Sequence, residues 1–129
     1  MIKTKDLRLG NYVTDNSGFT MYVVGIYEDT VLLNFKGNEG DVWEVSEKDL
    51  KPIALDKEML LKLGYKIYVS DNGWDRYSKN GIDFHLSPLI SGGYIPSFHI
   101  NGEYHIIKYL HELQNLFYML KNEELTINL

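Results

Sequence analysis

The sequence predicts an α+β chain of antiparallel character, with an N-terminal small β-barrel, a linking helix, an antiparallel sheet and a C-terminal helix. Three observations carry this expectation. Short runs of β-formers alternate with turn residues through the first fifty positions. Asn-Gly pairs recur at 72–73, 80–81 and 101–102 between further runs of the same kind. Apolar residues fall at helical three- and four-residue steps in two places, near residues 54–64 and 107–121.

The barrel segment begins at the turn Gly10-Asn11, which leads into Tyr12-Val13, and Asp15-Asn16-Ser17-Gly18 forms the next loop. Residues 19–27 are rich in β-formers around Tyr22-Val23-Val24. Glu28-Asp29 turns the chain into residues 30–35, and Gly37-Asn38-Glu39-Gly40 turns it again into residues 41–45. A short helical turn ending in Leu50-Lys51-Pro52-Ile53 closes the segment. A short helix follows over 54–64. Asp56 stands at its N-cap, where a carboxylate accepts from backbone N–H groups that lack helical partners. Leu55 and Leu60 have the spacing of a hydrophobic staple, Met59, Leu60 and Leu63 form the core stripe, and Gly64 takes the C′ position.

The second sheet is expected from strands over 66–70, 74–78, 82–87, 94–100 and 103–106, with a longer loop at 88–93. Pairing Phe84 with Ile100 and Leu86 with Phe98 across that loop sets His85 opposite His99. The final helix carries a stripe of Ile106, Leu110, Leu113, Phe117 and Leu120, and His111, Gln114 and Asn115 form a polar seam beside it. Residues 122–129 read as a tail or a terminal edge strand. The order of turns and strands in the first half resembles small barrels of the Tudor, KOW or Src-homology type, a shape that serves many unrelated binding roles. Two subdomains follow, 1–54 and 55–129, packed as one unit.

Composition narrows the function classes. At 129 residues, with 44% hydrophobic and 24% charged residues, the chain is in the globular range. It has no cysteine, so thiolate metal sites and disulfides are excluded. No apolar run approaches the roughly 18 residues that span a bilayer, and the N-terminus lacks a signal-peptide core, so the expected setting is cytoplasmic, away from membranes. The net charge of −5 is spread over both halves, leaving no basic stripe for duplex nucleic acid. Ten Tyr, five Phe and two Trp suit half-buried strands, and they also suit interfaces and ligand pockets.

The segment Tyr109-Leu110-His111-Glu112-Leu113-Gln114-Asn115-Leu116-Phe117-Tyr118-Met119-Leu120, followed by Glu123-Glu124-Leu125, resembles the closing segment of short uncharacterised proteins of Bacteroides-type gut bacteria and their phages and mobile elements. Leu7-Arg8-Leu9-Gly10-Asn11-Tyr12-Val13 looks like their opening, and Pro52-Ile53 with Leu60 and Leu63-Gly64-Tyr65 looks like their central helix. The resemblance implies an origin and brings no activity with it.

No motif of catalysis accompanies these patterns, so no enzyme, cofactor or metal is expected. His85 and His99 with Asp83 fall short of the three or four ligands of a zinc site. His111-Glu112 lacks the second histidine of a zincin, and Ser91-Gly92-Gly93-Tyr94 lacks the lysine of a phosphate-binding loop. The candidate ligand-binding residues are His85, His99, Tyr94, Trp74 and Arg76, and the candidate interface residues are Tyr109, His111, Leu116 and Met119. The expected function is a non-catalytic binding protein of phage or mobile-element type, acting on a host protein or on itself as a homo-oligomer. The alternative is a binder that sequesters a nucleotide-like signal among aromatic side chains. A hydrolase using the histidine face is the weakest reading.

Overall fold

The structure, a computed structural model, describes residues 2–38, 40–71, 74–79, 82–88, 94–100, 103–125 and 127. It is an α+β chain with two antiparallel sheets, grouped into two units. Unit 1 comprises residues 1–53 and 109–115, and unit 2 comprises residues 54–108 and 116–129. Sequence order does not foretell that a stretch of the last helix groups with the first unit.

Unit 1 holds β1 (Tyr12–Thr14), β2 (Thr20–Ile26), β3 (Thr30–Asn34) and β4 (Trp43–Ser46) in the order β1-β2-β3-β4. The expected barrel is not formed, because the sheet stays open between β4 and β1. After the 3-10 turn Glu47–Asp49, the chain returns to β1 through a single bridge, with Thr14 and Lys51 exchanging both backbone hydrogen bonds at 2.9 and 2.8 Å. The ladder does not continue, because the next hydrogen-bonded pair would need the Tyr12 N–H and the Ile53 carbonyl, which are taken by the Gln114 side chain and the Leu110 N–H.

The sheet's inner face follows from alternation. Val13 lies opposite Met21, Val23 opposite Leu33, and Val31 opposite Val45. All six are buried, and with Ile2, Leu7 and Leu50 they form one apolar cluster. Each buried side chain of this size contributes on the order of 1.5–3 kcal/mol. Strand β2 bends in its middle, where Val24 is an extra residue between the pairs Val23–Leu33 and Gly25–Leu32. A Cβ on Gly25 would come within 3.1 Å of Leu32 Cδ1, so a larger residue at the bend would need the Leu32 side chain to give way.

Unit 2 begins with α1 (Lys57–Lys62) and continues through β5 (Lys66–Asp71), β6 (Trp74–Lys79), β7 (Ile82–Pro88), β8 (Tyr94–Ile100) and β9 (Glu103–Ile106) in sequential antiparallel order. Asp71 pairs with Trp74, Lys79 with Ile82, and Ile100 with Glu103, so two residues separate the strands at each expected hairpin. The turn residues 72–73, 80–81 and 101–102, and residues 89–93 of the expected loop, lie outside the described residues. Residues 122–125 are not in a strand, in contrast to the edge strand considered for the tail, and Leu125 is buried.

Helix α1 is short, and its two ends explain its existence. Asp56 caps it, with one carboxylate oxygen accepting from the Met59 N–H at 2.8 Å. Leu55 and Leu60 are both buried, as the staple spacing requires. Gly64 has φ +88°, the left-handed conformation that ends helices. The Lys79 ammonium donates to the Leu63 carbonyl, one of the acceptors the helix leaves unpaired, and burial lowers the lysine pKa. The last element, α2 (Leu110–Lys121), starts three residues later than the periodicity suggests, because Ile106 is an exposed strand residue. Its buried stripe is Leu110, Leu113 and Phe117, whereas Leu120 is exposed.

Asp56→Ala removes the acceptor for the α1 N-terminus and should cost about 1 kcal/mol. Chemical denaturation should show the midpoint falling with the slope unchanged.

Candidate functional site

Two features of unit 1 bring polar or aromatic groups together, and they have different chemistry. The first is a seam of amides on α2. The Gln114 side chain accepts from the Tyr12 N–H at 2.8 Å and donates to the Gly10 carbonyl at 3.0 Å. One amide thereby satisfies a donor and an acceptor of the backbone at the start of β1. Asn115 Oδ1 accepts from Asn11 Nδ2 at 2.8 Å and from Arg8 Nε at 3.1 Å, and Asn115 Nδ2 donates to the Asp6 carbonyl at 3.2 Å. Asn11 also accepts from the Arg8 N–H and is wholly buried. This is the polar seam the helical spacing suggested, and its partners are structural.

His111 belongs to the same region and is buried, which removes it from any surface the sequence assigned to it as an interface residue. Its ring stacks on Tyr109 at 6.0 Å, and its Nδ1 has no hydrogen-bond partner among the described residues. Burial pushes the imidazole below its ordinary value, against the opposing pull of the Glu112 and Asp6 carboxylates. The Tyr109 N–H is capped by Glu112 at 3.1 Å, which helps to fix this first turn. Of the other candidate interface residues, Tyr109 and Leu116 are half-buried and Met119 is 74% exposed.

The second feature is a pocket at one end of the first sheet. The apolar alternation does not stop where the core closes. Along β2 it runs outward from Val23 to Met21 and then to Phe19, just before the strand. Along β3 it runs from Leu33 to Phe35, just past the strand, and on β4 from Val45 to Trp43, which lies opposite Leu33. Exposure rises along each line: Met21 is buried while Phe19 is 70% exposed, and Phe35 and Trp43 are 37% and 53% exposed. These side chains, with Thr20, Ser17 and Asp15, line a cavity of about 380 Å³. The β1–β2 and β3–β4 loops flank it, since both hairpins open at this end of the sheet. The Asp15 carboxylate is held at the rim by the Ser17 N–H at 2.8 Å and by the Ser17 hydroxyl.

The candidate ligand residues of the second sheet are not brought into one cluster by its register. His85 lies opposite Ser97, and His99 lies opposite Tyr104, so the two histidines are two positions out of the expected alignment. Arg76 does lie directly opposite His85 and is exposed. Trp74 and Tyr94 are at strand ends, paired with Asp71 and Pro88. For Trp74, His85, Tyr94 and His99 only the strand positions are described. Among the described residues, no group of three or more acidic, histidine or cysteine side chains is placed to hold a metal ion. No helix there is long and apolar enough to cross a membrane.

Comparison of the chain with protein-family models, with curated proteins and with solved structures finds no match in any of the three.

Two measurements check the seam. Gln114→Ala leaves the Tyr12 N–H without its acceptor and should destabilise the protein by about 1–3 kcal/mol in denaturant titration. For His111 the sign follows from the lowered folded-state pKa: below pH 6.5, the ordinary value, the unfolded chain takes up this proton first. Stability is therefore full above about pH 6.5 and declines as pH drops through the window between the two pKa values. His111→Leu should flatten that part of the stability–pH curve.

Proposed function

We propose that this chain is a non-catalytic binding protein that holds a small molecule in the pocket at the end of its first sheet. The observation that carries the reading is the outward run of Phe19, Phe35 and Trp43 from the core face, around a cavity of about 380 Å³. That volume is within the range of small-molecule pockets, which are mostly apolar with a few fixed polar groups. Three large aromatic side chains left partly in water at one place mark a surface that is used. A nucleotide-like ligand suits this pocket poorly, since a phosphate would meet the Asp15 carboxylate.

The test is a fragment screen read by NMR. Binders should shift the Trp43 indole N–H and the Met21 methyl while leaving Leu60 and Leu63 unmoved. Trp43→Ala should abolish the Met21 shift with little loss of stability, because the ring is more than half exposed. A screen whose binders leave Trp43 and Met21 unmoved would refute the reading.

A second reading, self-association, is supported by the end of α2, where Tyr118, Met119 and Leu120 are 40%, 74% and 44% exposed in succession. A two-fold contact would bury this apolar area. Met119→Lys should then turn a sedimenting dimer into a folded monomer. A wild-type protein that sediments as a monomer at high concentration removes this reading and leaves the pocket untouched.

A further inference from the structure

We infer that the pocket's ligand is a small amphipathic organic cation, with an apolar body ending in one ammonium group. The inference rests on the binding role proposed above and deepens it. Its basis is the composition of the wall. Phe19, Met21, Phe35 and Trp43 provide an apolar, largely aromatic lining that takes a hydrocarbon or aryl body. Asp15 is the one charged residue of the lining among the described residues.

The position of that carboxylate is set independently of any ligand. It is half-buried, and its Oδ1 is already engaged by the Ser17 N–H and hydroxyl. The acid therefore stays at the rim on the β1–β2 loop, while Trp43 stands at the far strand of the same sheet. A hydrocarbon end would cover the carboxylate without offering it a donor, a hydroxyl would offer only a neutral one, and an anionic end would repel it. An ammonium group at this end forms a charge-assisted hydrogen bond, and aromatic faces nearby favour positive over negative charge. The surrounding field has the same sign, since unit 1 carries ten acidic residues against six basic ones. The cavity of about 380 Å³ has room for a body of phenylpropyl size.

Three probes with one body and different ends separate the contributions: 3-phenylpropylammonium, 3-phenylpropan-1-ol and 3-phenylpropionate. Each is titrated into the intact protein at fixed low salt, with the Trp43 indole N–H followed by NMR. The ammonium should bind at least about fivefold more tightly than the alcohol, and the carboxylate more weakly than either. Asp15→Asn should bring the ammonium's affinity down to that of the alcohol and leave the alcohol's unchanged. Asp49→Asn, which removes an acid bonded to Asn16 outside the lining, should change neither by more than about twofold. Equal binding of ammonium and alcohol overturns the cation inference while the pocket reading stands. An equal loss in both variants overturns the direct contact with Asp15. Failure of all three probes to move Trp43 at tens of millimolar overturns the pocket reading and the inference together.

Discussion

Unit 1 depends on two side-chain amides that come from the far end of the chain. The backbone around residues 6–12 includes carbonyl and N–H groups that the sheet does not pair, and Gln114 and Asn115 supply the missing partners over sequence separations above 100 residues. An amide suits this task because it presents a donor and an acceptor side by side, much as a neighbouring strand would. An apolar residue at position 114 could fill the same volume and leave Tyr12 N–H desolvated. Once this edge is satisfied, β1 is held in place, and Asp15, one residue beyond it, has a defined position at the pocket rim.

The pocket arises from the geometry of the core. Alternation places Phe19, Phe35 and Trp43 on the same face as the buried valines and leucines, so they are core-like by pattern and surface-like by exposure. A sheet whose inner face outruns the layer covering it must leave a gap at its end. Filling that gap with water leaves aromatic surface wet, whereas a ligand completes the packing.

Much of the fold was legible because the signals were local. The α1 cap at Asp56, the left-handed Gly64 and the paired strand ends around 72–73, 80–81 and 101–102 all depend on chemistry within a few residues. The register of β7 against β8 was not legible. Pairing Phe84 with Phe98 instead of Ile100 is a slip of two, and a two-residue slip leaves every side chain on its expected face, so alternation cannot detect it. The barrel expectation failed just past Lys51, where the groups that would extend the ladder, the Tyr12 N–H and the Ile53 carbonyl, are engaged by Gln114 and Leu110 of the last helix. For the last helix, apolar spacing selected Ile106, which ends β9, and Leu120, both exposed, while buried Gln114 depended on distant backbone partners that periodicity does not register. The pocket was hidden for a related reason: the pattern shows which face a residue takes and says nothing of where the cover ends.

The discontinuity of unit 1 has a consequence for the order in which the molecule is made. Its four strands are synthesised within the first 53 residues, yet the late stretch grouped with them, residues 109–115, includes the start of α2. At translation rates of about 5–20 residues per second, the nascent sheet waits on the order of 3–12 s for its last partner. During that interval the start of β1 keeps unpaired backbone groups, and an incomplete strand edge is a template for pairing with another chain. The long separation also makes closure a late, high-contact-order step. A chaperone acting on this protein would have its longest opportunity there, before the Gln114 amide arrives.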